Sequence, residues 1–89
     1  MTISSLCVVE KFASQKPAAY VAIASGHSFE VYSGIIDHET KPLQLVCRVP
    51  DAQADAIQSL QLLFDSAREE LYLITSAKLD HRLNVWRVP

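Results

Sequence analysis

Little in this chain punctuates or cross-links it: there are two glycines, four prolines and two cysteines among 89 residues. So small a supply of turn-formers confines chain reversals to a few places, mostly between apolar runs. Cys7 and Cys47 are far apart, each within an apolar segment, and make no disulfide framework. They read as reduced, buried thiols of an intracellular protein. No segment reaches the ~18 continuous apolar residues of a helical membrane span. Charge of one sign never accumulates. The longest like-charged run is Glu69-Glu70, and 10 acidic against 8 basic residues leave a net charge of −2. That argues against a polyanion-binding surface, although a few arginine contacts to RNA within a larger complex stay compatible with it. The start, Met1-Thr2-Ile3-Ser4-Ser5, lacks the basic region and small-residue cleavage site of a secretion signal. The expectation is a soluble protein of the cytoplasm or nucleus.

Signatures of chemistry are equally sparse. There is no glycine-rich phosphate loop and no Gly-x-Ser-x-Gly nucleophile setting. His27, His38 and His81 each stand alone, none within metal-ligand spacing of another histidine or cysteine. Asp37, His38 and Glu39 precede Lys41-Pro42 and read as a solvated turn. No catalytic residue, cofactor or metal is expected.

What the chain has is apolar content, 49%, arranged in short runs and repeated. Ile3 to Phe12, Ala18 to Ser25, Phe29 to Ile36 and Leu43 to Val49 read as four strands, with Gly26-His27-Ser28 a tight turn. In the third run Phe29, Val31 and Ser33 share one face, and Glu30, Tyr32 and Gly34 the other. In the fourth, Leu43, Leu45, Cys47 and Val49 alternate with Gln44, Val46 and Arg48. After a linker from Ala52 to Ala56 come three more runs: Ile57 to Phe64, Leu71 to Ser76 and Leu83 to Val88. Phe12, Tyr20 and Ser25 match Phe64, Tyr72 and Ala77 at an offset of 52. Phe29-Glu30-Val31-Tyr32 then matches Leu83-Asn84-Val85-Trp86 at an offset of 54. A period of this length marks stacked units that cannot bury their own apolar faces. The in-register aromatics read as core.

One segment has two readings. Ala54, Ile57, Leu60, Phe64, Ala67 and Leu71 recur at helical spacing, with Asp51 after Pro50 as an N-cap, so 51–69 also fits a helix in an α+β domain. The repeat favours strand, because Phe64, a polar turn and Leu-Tyr-Leu match Phe12, a polar turn and Ala-Tyr-Val. The predicted fold is therefore all-β: a four-stranded unit over residues 1–50 and a three-stranded unit over 51–89.

Each unit, with its apolar strand ending in Phe, its polar turn, a strand rich in small residues, a hairpin loop and a strand ending in an aromatic, resembles a WD40 propeller blade. Trp86 falls at the family's Trp position, with Arg87 in place of the usual Asp. Tyr32 and Ser33 hold those places in the first unit, and no Gly-His pair opens either blade where the family keeps it. The run of Val-Tyr-Ser, Leu-Gln-Leu-Val-Cys-Arg and the closing Leu-Asn-Val-Trp-Arg-Val-Pro also resembles the last blades of the non-catalytic WD-repeat subunit of tRNA guanine-N7 methyltransferase. The resemblance implies an incomplete propeller that acts as a scaffold, with RNA reached only through a complex. Its partners would be another protein, the remaining blades of a longer parent, or further copies of itself. In such blades loop tips bind partners, which makes Asp80, His81 and Arg82 the candidate interaction loop. A small α+β regulatory domain and a small enzyme with a site shared between subunits are the alternatives.

Overall fold

The computed structural model describes residues 2–9, 17–36, 42–77, 79 and 81–89. Seven strands follow in order: β1 (Thr2–Val9), β2 (Ala18–Ser25), β3 (Ser28–Ile35), β4 (Gln44–Val49), β5 (Ser59–Asp65), β6 (Glu70–Ser76) and β7 (Leu83–Val88). They form two antiparallel sheets, β1-β2-β3-β4 and β5-β6-β7. The all-β reading, four strands then three, holds.

The helix alternative over 51–69 does not. Residues 51–58 are irregular, with Asp51 at φ 53° rather than capping a helix. From Ser59 the burial period is two: Leu60 and Leu62 are buried, while Ser59, Gln61 and Leu63 are exposed. Ala67, which would have continued the helical stripe, lies exposed in the β5–β6 turn. That turn is organised by Asp65, whose carboxylate accepts from the backbone N–H groups of Ala67 (3.0 Å) and Arg68 (3.3 Å). A β ladder with β6 satisfies the backbone that a helix would have satisfied internally.

Local chemistry also explains the tight β2–β3 hairpin. Ser25 pairs with Ser28 across the two-residue turn Gly26-His27. Gly26 takes φ 61°, a first-position value that suits a type II′ turn and glycine above all.

One register departs from the alternation read in β4. Val31 pairs with Cys47 but Tyr32 pairs with Leu45, so Val46 is the extra residue of a β-bulge. The bulge reverses the strand's phase. Cys47 and Val49 stay on the face of Val31 and Phe29, while Leu45 moves to the face of Tyr32. Leu43 goes with it, its Cδ2 resting 2.9 Å from where a Cβ would stand on Gly34. A larger residue at position 34 would require the exposed Leu43 side chain to move aside.

The core lies between the sheets. Val9, Ala22, Ala24, Phe29 and Val31 from the first sheet cluster with Leu60, Leu62, Leu71, Leu73 and Val88 from the second, and Ala52 and Ile57 close one end. Phe29 and Trp86 meet edge to face, with ring centroids 5.3 Å apart, a favoured aromatic geometry. The Trp86 indole N–H donates to the hydroxyl of fully buried Thr75 at 3.1 Å. The sheets come closest where β1 and β2 meet β5. There the small Ser5 permits near contact of backbones, and its Oγ accepts from the Leu62 N–H at 3.2 Å, satisfying a donor on the edge of β5.

Candidate interaction surface

The linker between the sheets is pinned to the two hairpin loops of one end. Ala52 N–H donates to the His27 carbonyl (2.7 Å) and Ile57 N–H to that of Gly26 (2.8 Å). His27 Nδ1 lies 3.1 Å from the Gln53 carbonyl. A carbonyl only accepts, so Nδ1 carries the proton in this contact. Asn84 Nδ2 donates to the Ala52 carbonyl at 3.4 Å, and Asp55 accepts from the Leu79 N–H at 3.1 Å.

These links frame an open cleft of about 570 Å³ lined by His27, Asp51, Ala52, Gln53, Ala54, Arg82 and Asn84. Of the predicted loop, Arg82 lines this cleft, and exposed His81 precedes it at φ 53°. Asp80 lies outside the described residues, as do Asp37, His38 and Glu39. Sequence reasoning missed His27, Asp51 and Asn84 as neighbours of Arg82. His27 and Arg82 stand in corresponding hairpin loops of the two units, and stacking the units sets those loops side by side. The lining offers a guanidinium, an imidazole, a carboxylate and amide groups, a set suited to polar recognition of another molecule's surface. Among the described residues, no group of three His, Cys, Asp or Glu is placed to hold a metal ion.

A second surface consists of the two faces turned away from the core. On the first sheet, the Tyr32 hydroxyl donates to the Glu30 carboxylate, which also pairs with Arg48 at 3.1 Å. On the second, the Tyr72 hydroxyl donates to Glu70, which pairs with Arg87 at 3.8 Å. The Tyr32 hydrogen bond and then Arg48 hold the Glu30 carboxyl below the ordinary carboxylate value. Each tyrosine is pushed up first by its own glutamate. Tyr32 and Tyr72 are thus outward residues, not the core aromatics the repeat suggested. Tyr20, Phe64 and Trp86 do pack on the core, Phe29 lies within it, and Phe12 is outside the described residues.

Exposed apolar side chains surround both polar trios: Leu6, Val8, Leu43 and Leu45 on the first sheet, Leu63, Leu83 and Val85 on the second. Cys7 and Cys47 are free and half-buried, and burial pushes the Cys47 thiol up. Among the described residues no helix is long and apolar enough to cross a membrane. No protein-family model, curated protein or solved structure matches the chain.

Proposed function

We propose that the chain is a non-catalytic, intracellular scaffold built from WD40-like units, a four-stranded blade over residues 1–50 and three strands of a second over 51–89. It binds a protein partner through the loop surface around His27, His81 and Arg82. The observation that carries this reading is the agreement between repeat and packing. In β2 and β6, and in β3 and β7, residues 52 or 54 positions apart occupy corresponding ladder positions and faces, as successive blades require. The cleft between neighbouring hairpin loops supports the site, since rigidly held loops at the end of a sheet are where such architectures recognise partners. The narrower reading, an accessory subunit of a tRNA-modifying methyltransferase complex, rests on the resemblance in sequence pattern.

Affinity capture with the tagged chain tests the proposal. The wild type should retain a defined protein partner, and the His27→Ala, Arg82→Ala double variant should lose it while keeping its β-sheet circular dichroism. Equal capture by both would remove the loop surface from the account. For the narrower reading the captured protein should be a methyltransferase subunit and the complex should bind tRNA in a salt-dependent way. Capture of neither would end it.

A further inference from the structure

The two sheets meet through non-identical faces, and the repeat defines which ones. Call the face of the first sheet that meets the second its leading face; it carries Tyr20, Ala22, Phe29 and Val31. The face of the second sheet that meets it is a trailing face, with Leu60, Leu73 and Trp86. Adding 52 or 54 to the first set gives Tyr72, Ile74, Leu83 and Val85, which lie together on the uncovered side of the second sheet. On the first sheet, Val21 and Tyr32 stand 52 and 54 positions before Leu73 and Trp86 and lie together on the uncovered side. From β1, where the register runs 56 positions before β5, Leu6 and Val8 join them as the counterparts of Leu62 and Phe64. The molecule therefore ends in a free leading face at one side and a free trailing face at the other, each a variant of a surface already paired inside the chain.

We infer that a second copy of this chain stacks head to tail on the first, the trailing face of its first sheet covering the leading face of the other copy's second sheet. The reading rests on the repeat units invoked above, though not on any protein partner. Three observations support the occupant. The free faces expose apolar side chains that the paired faces bury: Val85 is 60% exposed where Val31 is 0%, and Leu6, which pairs with Val21 as Leu62 pairs with Leu73, is 65% exposed where Leu62 is 2%. Side-chain size is exchanged between the faces. Ala22 becomes the larger Ile74 on the leading side, while Phe29 becomes Leu83 there and Leu73 and Trp86 become Val21 and Tyr32 on the trailing side, so the one gain in volume is met by losses beside it. Charge is balanced within each face, because Glu30 pairs with Arg48 and Glu70 with Arg87, so neither face repels the other. An interface of this kind is heterologous, and every added copy presents a fresh free face.

Sedimentation velocity on the full chain, over a concentration series, tests this with two face-blocking variants. The wild type should sediment as species of two or more copies. Val85→Arg and Val8→Arg, each at an exposed position and each checked by circular dichroism, should sediment as single copies. Leu6→Arg, on the same face as Val8 and 65% exposed, serves in place of Val8→Arg if that variant does not fold. Mixed one to one, the two blocked variants retain one compatible pair of faces and should form a species of two copies and nothing larger. A wild type that stays a single copy throughout, or variants that associate as well as the wild type, overturns the inference. Failure of a mixture to associate when the wild type does would show a symmetric interface and overturn it as well. Loss of partner capture without change in these masses would touch only the scaffold reading.

Discussion

The first sheet and the second share a plan but divide the work differently. Corresponding positions carry Phe29 and Leu83, Val31 and Val85, Tyr32 and Trp86. In the first sheet the leading residues of these pairs are buried and the trailing tyrosine faces outward. In the second the leading residues are exposed, and the trailing tryptophan packs on Phe29. Nothing in the side chains' own chemistry separates two valines 54 positions apart. Their fates differ because only one has a sheet beside it. Burial in a stacked repeat is a property of the neighbour as much as of the residue.

The sharpest way to break this comparison is to truncate the paired positions. Phe29→Ala should cost about 3–5 kcal/mol, through lost burial and a cavity between the sheets. Leu83→Ala should stay within about 0.5 kcal/mol when urea unfolding is followed at the lowest usable concentration. Val31→Ala and Val85→Ala repeat the contrast with identical chemistry, about 2 kcal/mol against about 0.5. Equal costs at the two valines would mean that both faces are covered in the single chain, which the account denies.

Smaller effects come from the hairpin loops. Gly26→Ala meets no neighbouring atom within 4 Å, so its cost is backbone strain at positive φ, about 1–2 kcal/mol. In the corresponding loop, His81 already tolerates φ 53°. His81→Gly should change the midpoint little, because relief of strain is offset by the greater freedom of glycine in the unfolded chain. A large loss from His81→Gly would point to a role for the imidazole in holding the loop.

The finest comparison is between the two outward tyrosines. Both are pushed above the ordinary phenol value of 10.0 by their glutamates. For such a group the stabilisation is complete below the unfolded value and is lost as pH rises through the folded one. Ultraviolet titration should therefore show two phenols ionising late, and Glu30→Gln should bring only Tyr32 earlier. Glu30 itself, held low, behaves in the opposite sense. Its contribution is present above the ordinary carboxylate value and fades as pH falls through the folded one. Glu30→Gln should accordingly flatten the acid limb of stability against pH.

The strands were legible because each is short, apolar and bounded by a polar turn, and the repeat resolved the one segment where helical spacing competed. β2 and β7 fall on the residues read for them, and the other strands within a few positions. The phase of β4 was not legible. A bulge at Val46 depends on how the strand sits against β3, and alternation along one strand carries no trace of it. The aromatic register gave the face of Tyr32 and Tyr72 but not whether that face was covered. His27 and Arg82 share no local pattern. Their proximity follows from the stacking of units, so Arg82, with Asp80 and His81, was read as a site residue in advance and His27 was not.

The central claim is that the leading face of the first sheet meets the trailing face of the second within one chain. Nuclear Overhauser spectroscopy on a dilute sample of the full chain tests it most directly. The account predicts cross-peaks between the Phe29 ring and the Trp86 indole, 5.3 Å apart between centroids, that persist on dilution. Cross-peaks from Trp86 to the ring of Tyr32, on the opposite face of the same strand, would contradict it.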